Sequence, residues 1–206
     1  MGFYDKYLLP RIIDCSCGMS LVREERARLV PLASGDVLEI GIGSGLNLPL
    51  YDAARVRRIF GIDPSDPMID YSRKRSAGLI FPVELTLASA EQVALPTDSI
   101  DTVVATFALC SIPDVEAALR ETRRVLKPDG KLLFLEHGLA PDSSVQRWQR
   151  RLTPLWKRFA GGCHLDRDMP ALIAAAGFRI DNLDKKYLPR VPRFAGYGYR
   201  GIASPA

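Results

Sequence analysis

The stretch VLEIGIGSGLN at residues 37–47 decides the fold. It opens as a short apolar run, typical of a buried strand, and continues into a loop with glycines at positions 41, 43 and 45. Glycine lets the backbone turn sharply and lie directly against a ligand. We expect a strand that ends at Gly41 and a helix that begins near Asn47, with N–H groups that favour an anionic group.

The same alternation of apolar run, turn and helical pattern continues outward along the chain. Further apolar runs lie at residues 59–63, 83–87, 102–105 and 131–135, and the clearest helical pattern covers 115–126. Strands that alternate with helices predict an α/β fold with a mostly parallel sheet. Two late strands, 178–187 and 194–203, are joined by a connection too short for a crossover helix, which predicts an antiparallel pair.

Two carboxylates near the glycine loop indicate the kind of ligand. Asp63 ends the second apolar run, where an acidic side chain accepts from both hydroxyls of a ribose. A tight turn followed by an ordinary capping Asp is the structural alternative. Glu39 precedes the first glycine by two residues and would repel a pyrophosphate, while Leu46 replaces the third glycine of the dinucleotide fingerprint. These features disfavour a nicotinamide-dependent oxidoreductase, which stays an alternative beside a non-catalytic cofactor-binding module.

Further motifs follow the glycine loop in chain order. They are GIDPS at 61–65, ASAE at 88–91, LPTDSID at 95–101 and RVLKPDG at 124–130. Together with the loop, they resemble the motifs of class I S-adenosylmethionine-dependent methyltransferases. The resemblance implies a Rossmann-like seven-stranded sheet, mostly parallel with one antiparallel strand and covered by helices on both faces. It implies S-adenosyl-L-methionine as the cofactor.

The resemblance also implies roles for individual residues. The methionine end of the cofactor would be held at Glu39 and the glycine loop, and the ribose at Asp63. The full implied set is Glu39, Gly41, Gly43, Gly45, Asp63, Pro64, Met68, Ser89, Ala90, Glu91 and Phe107. Many relatives have Asp at this position. Ser89 also offers a hydrogen-bond acceptor, but it brings no charge.

The acceptor site of such a fold lies beyond the ends of the fourth and fifth strands. His137 ends the fifth strand and is our candidate general base, with a hydrogen-bonded structural residue as the alternative. The residues we expect to contact the acceptor are Cys110, Trp148, Trp156, His164 and Tyr4. Cys110, Cys163, His137 and His164 fit no metal-binding spacing, so we expect no metal.

A second, closer resemblance concerns the acceptor. The segments LCSI at 109–112, EH at 136–137, GGCHL at 161–165 and GYGY at 196–199 are similar to those of alkyl-thiol methyltransferases. Bacterial members of that branch are grouped with quinone and phospholipid methyltransferases. The resemblance implies methyl transfer to a small apolar acceptor, a thiol by preference, with a phospholipid or a quinone or phenol as the alternative.

The segment 144–159 combines aromatic and basic side chains. Apolar residues at helical spacing are Trp148, Leu152, Leu155, Trp156 and Phe159, and the basic ones are Arg147, Arg150, Arg151, Lys157 and Arg158. Pro154 predicts two short helices. We interpret the segment as a lid over the acceptor, or as a cover helix packed on the core, with a basic rim that suits weak contact with anionic lipid.

Length and composition set the remaining expectations. The chain has 206 residues, 47% apolar and 25% charged, with a net charge of +4 and no apolar run long enough to span a bilayer. We expect one methyltransferase domain, a cytoplasmic location or a peripheral one at the inner membrane face, and no nucleic-acid partner. The expected segments are an N-terminal helical cap (1–34), a cofactor-binding core (35–137), a helical acceptor insert (138–177) and a strand pair (178–206).

Overall fold

The computed structural model describes residues 4–206, apart from the side chains of Asp5 and Lys6; residues 1–3 of the expected cap lie outside this range. The described N-terminal region is helical, as predicted. It comprises a π-helical turn (Tyr4–Leu8), α1 (Leu9–Cys17), α2 (Ser20–Leu29) and a 3-10 turn (Val30–Leu32). No helix of the described chain has both the length and the apolar composition that crossing a bilayer requires.

A seven-stranded sheet forms the centre of the molecule. Its strands are β1 (Gly35–Ile40), β2 (Val56–Asp63), β3 (Val83–Leu87), β4 (Ile100–Thr106), β5 (Leu126–His137), β6 (Phe178–Tyr187) and β7 (Tyr197–Pro205). Their spatial order is β3-β2-β1-β4-β5-β7-β6. Strands β1 to β5 pair in parallel, and β7 runs antiparallel to both β5 and β6. The predicted fold class and the late antiparallel pair are confirmed.

Helices cover both faces of this sheet. Besides α1 and α2 they are α3 (Asp66–Ser76), α4 (Val115–Val125), α5 (Ser143–Phe159) and α6 (Met169–Ala175). The Asp114 side chain caps α4 by accepting from the Ala117 N–H at 2.9 Å. The predicted stripe of α4 is buried, with Ala118, Leu119 and Thr122 inaccessible to solvent.

The core divides into two layers because alternate strand residues point to opposite faces. Leu38 and Val103 belong to the larger layer, which α4 and α6 cover. Their chain neighbours Val37 and Val104 belong to the smaller layer, together with Ile69 of α3. Burial on both faces explains the nearly continuous apolar character of the central strands.

The segment after the glycine loop differs from the prediction. No α-helix begins near Asn47; a single 3-10 turn, Leu48–Leu50, takes its place. The Leu50 N–H donates to the Asn47 carbonyl at 2.8 Å, and β2 already begins at Val56, which leaves no length for a helix of several turns. The glycine loop therefore offers its own backbone N–H groups to a ligand, without a long helix behind it.

The segment around Pro154 also differs, since α5 is one helix where two were predicted. Pro154 lies on the exposed side of α5, and so does Arg150, whose carbonyl would have accepted from residue 154. Solvent has access to this side of the helix and can satisfy the freed carbonyl, so the proline does not break the helix at this place.

Candidate functional site

A cavity of about 380 Å³ opens at the carboxyl ends of β1, β2 and β4. This volume lies within the range of ~300–1,000 Å³ that is usual for small-molecule sites. Its walls come from the glycine loop, the end of β2, segment 88–91, segment 106–113 and the N-terminal helices. The position agrees with the rule that ligands of open α/β sheets bind beyond the carboxyl ends of the strands.

The glycine loop forms one wall with a backbone that only glycine adopts readily. Gly41, Gly43 and Gly45 have φ values of +63°, +55° and +78°. A Cβ on Gly41 would lie 2.6 Å from the Ala108 Cβ, whereas a Cβ on Gly43 would meet only the Gly41 carbonyl oxygen, at 3.8 Å. Gly41 and Gly43 line the cavity. Gly45 does not, because it packs against Ser72 of α3.

Asp63 lies at the end of β2 and borders the cavity. Its carboxylate accepts from the Gly43 N–H at 2.9 Å and from the Ser65 N–H at 2.8 Å. Burial raises its pKa, although these two bonds oppose the rise. Each carboxylate oxygen keeps a further lone pair, so the group can still accept from two hydroxyls.

The residues predicted around the adenine are brought together beside Asp63. Pro64, Met68, Ser89, Ala90 and Glu91 all line the cavity. The Ser89 hydroxyl donates to the Glu91 carboxylate. These side chains form one continuous wall, which mixes apolar contact with hydrogen-bonding groups.

Glu39 is placed differently from the expectation. It is fully buried behind the glycine loop, where its carboxylate accepts from the Asn47 amide at 2.9 Å and the Tyr51 hydroxyl at 2.7 Å. Burial raises its pKa to about 7, despite the opposing effects of the Tyr51 bond and the nearby Arg26 charge. Glu39 is not among the described residues that line the cavity; it braces the loop from behind.

Arg26 of α2 lines the cavity and was not predicted. Its guanidinium donates to the Asn47 side-chain oxygen at 2.7 Å and to the Thr106 hydroxyl. Its Nε is buried without a hydrogen-bond partner. Burial lowers its pKa, while the Cys17 and Glu39 side chains oppose that effect. The spacing of Val22, Arg26 and Leu29 was the available signal, because it places the arginine on the buried face of α2.

The segment after β4 forms the opposite wall, and Glu136 holds it. Phe107 has φ +54°, an unusual value for a residue with a Cβ. The buried Glu136 carboxylate accepts from the N–H groups of Ala108 and Leu109, both at 2.9 Å, and of Cys110 at 3.2 Å. This role of Glu136 was not predicted, although a carboxylate at the end of an apolar strand is a signal visible in the sequence.

His137, the predicted base, does not line the cavity. Its Nε2 lies 2.9 Å from the Cys163 Sγ, and its ring stacks on Phe107 with centroids 6.3 Å apart. Among the described residues, Cys110, His137 and Cys163 gather their potential ligand atoms within 4.8 Å of one another. The expectation of no metal rested on sequence spacing, which does not reveal a cluster built from three separate elements.

The residues predicted to contact the acceptor lie elsewhere. Tyr4 donates to the Phe159 carbonyl at 2.8 Å, Trp148 is 59% exposed, Trp156 packs on Phe194, and His164 lies beside Asp166. With Cys110, they are absent from the described lining of the cavity. The predicted lid over the acceptor is therefore not formed by the α5 aromatics in this structure. Five apolar residues that were not predicted do line the cavity: Leu9, Pro10, Ile13, Ile112 and Pro113.

The assembled cavity fits an adenosyl group joined to an amino acid. Above Gly43 the backbone is open to a ligand, Asp63 suits a ribose, and the buried Arg26 suits a carboxylate. S-Adenosylmethionine combines these three parts. Asp63 and Glu91 bring negative charge to the described lining. This charge would repel a pyrophosphate, so the lining favours S-adenosylmethionine over a dinucleotide.

Comparisons with known proteins agree with this geometry. Residues 38–134 match the family model described as "Methyltransferase domain". The chain is 32% identical to the rat thiol S-methyltransferase TMT1B over 169 residues, which are 78% of this chain and 68% of the rat protein. It is 33% identical to the ubiquinone/menaquinone biosynthesis C-methyltransferase UbiE of Rickettsia bellii over 150 residues, 69% of this chain and 60% of that protein.

A solved structure shows the same fold. The S-adenosylmethionine-dependent methyltransferase from Mesorhizobium loti superposes with a TM-score of 0.68 over 91% of this chain and 98% of its own, at 18% identity. Fold, cavity and sequence relatives lead to one conclusion: the chain belongs to the class I S-adenosylmethionine-dependent methyltransferases.

Proposed function

We propose that this methyltransferase transfers a methyl group to the thiol of a small apolar molecule. The observation that carries the proposal is the apolar part of the cavity lining, to which α1 contributes Leu9 and Ile13 and the segment after β4 contributes Ile112 and Pro113. The thiol S-methyltransferase named among the relatives supports a sulfur acceptor.

We place the cofactor by matching its parts to the described walls. Asp63 accepts from the ribose hydroxyls, Arg26 pairs with the carboxylate, and the Gly41 and Gly43 backbone contacts the methionine portion. Pro64, Met68 and the segment 88–91 surround the adenine. Asp63 and the adenine-contacting residues keep the roles that the sequence predicted. Arg26 takes over the role predicted for Glu39, which was to hold the methionine end of the cofactor.

A thiol acceptor suits a site of this kind because it needs little help to ionise. When bound, S-adenosylmethionine supplies a methyl group on a positively charged sulfur, which is its own leaving group. The protein aligns the acceptor with this group and excludes water. A free thiol has a pKa of about 8.5, so a useful fraction is thiolate near neutral pH. The proposal therefore uses no general base, and His137 is not required to reach the cavity.

A screen with labelled S-adenosylmethionine tests the acceptor. Matched pairs, such as an alkanethiol and the alkanol of the same length, distinguish a requirement for sulfur from a requirement for the shape of the acceptor. We expect methylation of the thiols only, with a rate that rises with pH as the thiolate forms. Phenols, quinols and amine-headgroup phospholipid vesicles complete the screen. Methylation of any of these classes, with no methylated thiol, would overturn the proposal.

A lipid-soluble acceptor is the second candidate, and the surface of α5 favours it. Trp148, Leu155 and Phe159 are all more than half exposed along this helix, and its basic residues surround them. The Tyr4 hydroxyl bond to the Phe159 carbonyl joins α5 to the N-terminal region, where Leu8 and Ile12 are also exposed. Apolar side chains with a basic rim suit a membrane surface that contains anionic lipid.

Sedimentation with vesicles tests the membrane contact on which this second candidate rests. We expect the chain to bind anionic vesicles, to bind neutral ones weakly, and to lose binding when Trp148, Leu155 and Phe159 are replaced by Ser. Ile80→Ser is the matched control, since Ile80 is an exposed apolar residue outside α5. Equal binding of the triple variant and the unchanged chain would contradict a role for α5.

We propose a reducing compartment such as the cytoplasm as the location. All four cysteines are free thiols in the structure, and two of them, Cys110 and Cys163, lie side by side without a bridge. Reducing compartments keep such pairs as thiols. Fractionation of cells followed by thiol labelling of the unreduced protein tests this: a labelled protein in the cytosolic or peripheral membrane fraction is expected.

A further inference from the structure

We propose that Cys110, His137 and Cys163 form a zinc site with three protein ligands and a fourth position toward the cavity. The role of that fourth position in taking an acceptor thiolate rests on the proposed function; the metal site itself does not. Two sulfurs and one imidazole are the donor set that zinc prefers.

Three separate elements bring the ligands together. His137 is the last residue of β5, Cys110 lies in the segment after β4, and Cys163 lies in the loop after α5. The His164 N–H donates to the Cys110 carbonyl at 2.8 Å, which ties this loop to the segment after β4. Gly162 permits the approach, since a Cβ there would lie 3.0 Å from the Ser111 carbonyl oxygen.

The distances are close to those of a metal site. The three ligand atoms lie within 4.8 Å of one another, and His137 Nε2 lies 2.9 Å from Cys163 Sγ. Ligand atoms of tetrahedral zinc lie ~3.5–3.8 Å apart, given Zn–S of ~2.3 Å and Zn–N of ~2.0 Å. Small side-chain rotations therefore suffice to complete the set.

The protein encloses the cluster, and one nitrogen of its imidazole has no hydrogen-bond partner. Cys110 is 2% and Cys163 6% exposed, so neither sulfur is solvated. The Arg167 guanidinium donates to the Leu109 carbonyl and interacts electrostatically with both sulfurs. The Nδ1 of His137 is buried without a hydrogen-bond partner, while its Nε2 contacts Cys163 and its ring stacks on Phe107.

The cluster lies one side chain behind the cavity wall. The Cys110 Sγ is 3.6 Å from the Ser111 Oγ, and Ser111 lines the cavity. The Phe107 ring, stacked on His137, and Gly161, two residues before Cys163, line it as well. An incoming ligand would reach the fourth position past these residues.

A metal at this place has a definite chemical use. A thiol bound to zinc loses its proton, which passes to solvent, and the sulfur stays nucleophilic as a thiolate. The new carbon–sulfur bond then forms as the methyl–sulfonium bond breaks, so no oxidant or reductant is needed. Three-ligand zinc sites with one open position are characteristic of catalytic zinc.

Metal content and cobalt spectroscopy test the site in the full chain. The protein is reduced, stripped with a chelator, reloaded with zinc and dialysed, and its zinc is measured by mass spectrometry. We expect one zinc per chain and, with Co²⁺ in its place, a thiolate-to-cobalt charge-transfer band. Cys110→Ser, Cys163→Ser and His137→Ala should each raise the zinc Kd by ~100-fold or more, because even outer-shell changes cost 10–100-fold.

Cys15→Ser and His164→Ala are the matched controls, since Cys15 is exposed and His164 lies outside the cluster. Binding of S-adenosylhomocysteine and thermal melting show that each variant is folded. The proposal is overturned if the reduced chain takes up no zinc from micromolar solutions, or if the ligand variants bind zinc as well as the controls do. A Cys110–Cys163 disulfide that persists after reduction would also overturn it.

The outcomes separate this inference from the proposed function. A chain that binds zinc at the cluster yet methylates no thiol would overturn the proposed acceptor and leave the metal site standing. A chain that methylates thiols equally well with and without chelator, and holds no zinc, would overturn the metal site alone.

Discussion

The carboxylate of Asp63 accepts a 2.9 Å hydrogen bond from the backbone N–H of Gly43. The bond joins the end of β2 to the centre of the glycine loop. Loop and carboxylate are therefore one preorganised unit, which reduces the ordering that a ligand must impose when it binds.

Asp63→Asn should weaken binding of S-adenosylhomocysteine by roughly 1.5–3 kcal/mol, because hydrogen bonds to a charged group contribute that much. The amide keeps the shape of the side chain but loses its charge and half of its acceptor capacity. Calorimetric titration measures the change. Asp70→Asn is the control and should leave the affinity unaltered, because Asp70 lies on the exposed side of α3 and pairs with Arg73. Equal affinities of the two variants would contradict the role given to Asp63.

Arg26→Met should weaken S-adenosylhomocysteine by roughly 1.5–3 kcal/mol, as expected for a lost charge-assisted hydrogen bond. The same variant should bind 5′-methylthioadenosine nearly as well as the unchanged chain, since that compound lacks the carboxylate. Titration of both ligands against both proteins measures the difference. A parallel loss for the two ligands would show that Arg26 acts only by supporting Asn47 and Thr106.

Glu39 should make stability depend on pH in an unusual direction. Burial raises its pKa to about 7, against 4.5 for an exposed glutamate. Between these values the folded chain holds a proton that the unfolded chain has released, so the free energy of unfolding from this group falls as the pH rises toward 7. The shift corresponds to about 3 kcal/mol at most. The loss continues through the folded-state pKa and becomes constant about one pH unit above it.

Urea unfolding at several pH values checks this prediction. Glu39→Gln, which cannot ionise, should remove the decline that the unchanged chain shows between about pH 5 and pH 7. Glu84→Gln, exposed on β3, is the control and should keep it. If Glu39→Gln and Glu84→Gln gave the same pH profile, the buried carboxylate would not be the source.

Gly41→Ala should reduce both stability and cofactor affinity. The new Cβ would lie 2.6 Å from the Ala108 Cβ at a φ of +63°, so backbone strain of ~1–2 kcal/mol adds to overpacking of ~1–3 kcal/mol. Gly78→Ala isolates the first effect, because Gly78 has φ +86° and a Cβ there would meet nothing within 4 Å. Thermal melting and calorimetric titration of both variants measure the difference; equal losses would refute the close packing.

Local sequence predicted the elements well where one residue pattern decides them. The stripe of α4 specified its helix, and the strand β3 was predicted at its observed bounds, because side-chain periodicity and turn residues act over a few neighbours. Pro154 misled the prediction for the same reason: its cost depends on whether the freed carbonyl meets water, which a local pattern does not show.

The residues of the candidate site also fall into a group that local sequence predicts and a group that it does not. The sequence predicted that Gly41, Gly43, Asp63 and segment 88–91 lie at one site, because they adjoin strand ends in chain order. Arg26, Glu136 and the Cys163 loop were not, since each reaches its partner from a distant element. The α5 aromatics were expected at the cavity, yet the helix turns Gln149 and Thr153 inward and leaves Trp148 outside.

The sequence by itself determined the mostly parallel α/β sheet, its antiparallel last pair and the edge where the glycine loop and Asp63 meet. These features follow from short-range periodicity and from backbone conformations that only glycine adopts readily. The tertiary structure alone decided that Glu39 braces the loop from behind, that an arginine of α2 enters the cavity, and that two sulfurs and an imidazole converge. These contacts join residues that are far apart in the sequence. The partner of a buried charge or thiol is therefore set by the packing of distant elements and not by the local residue pattern.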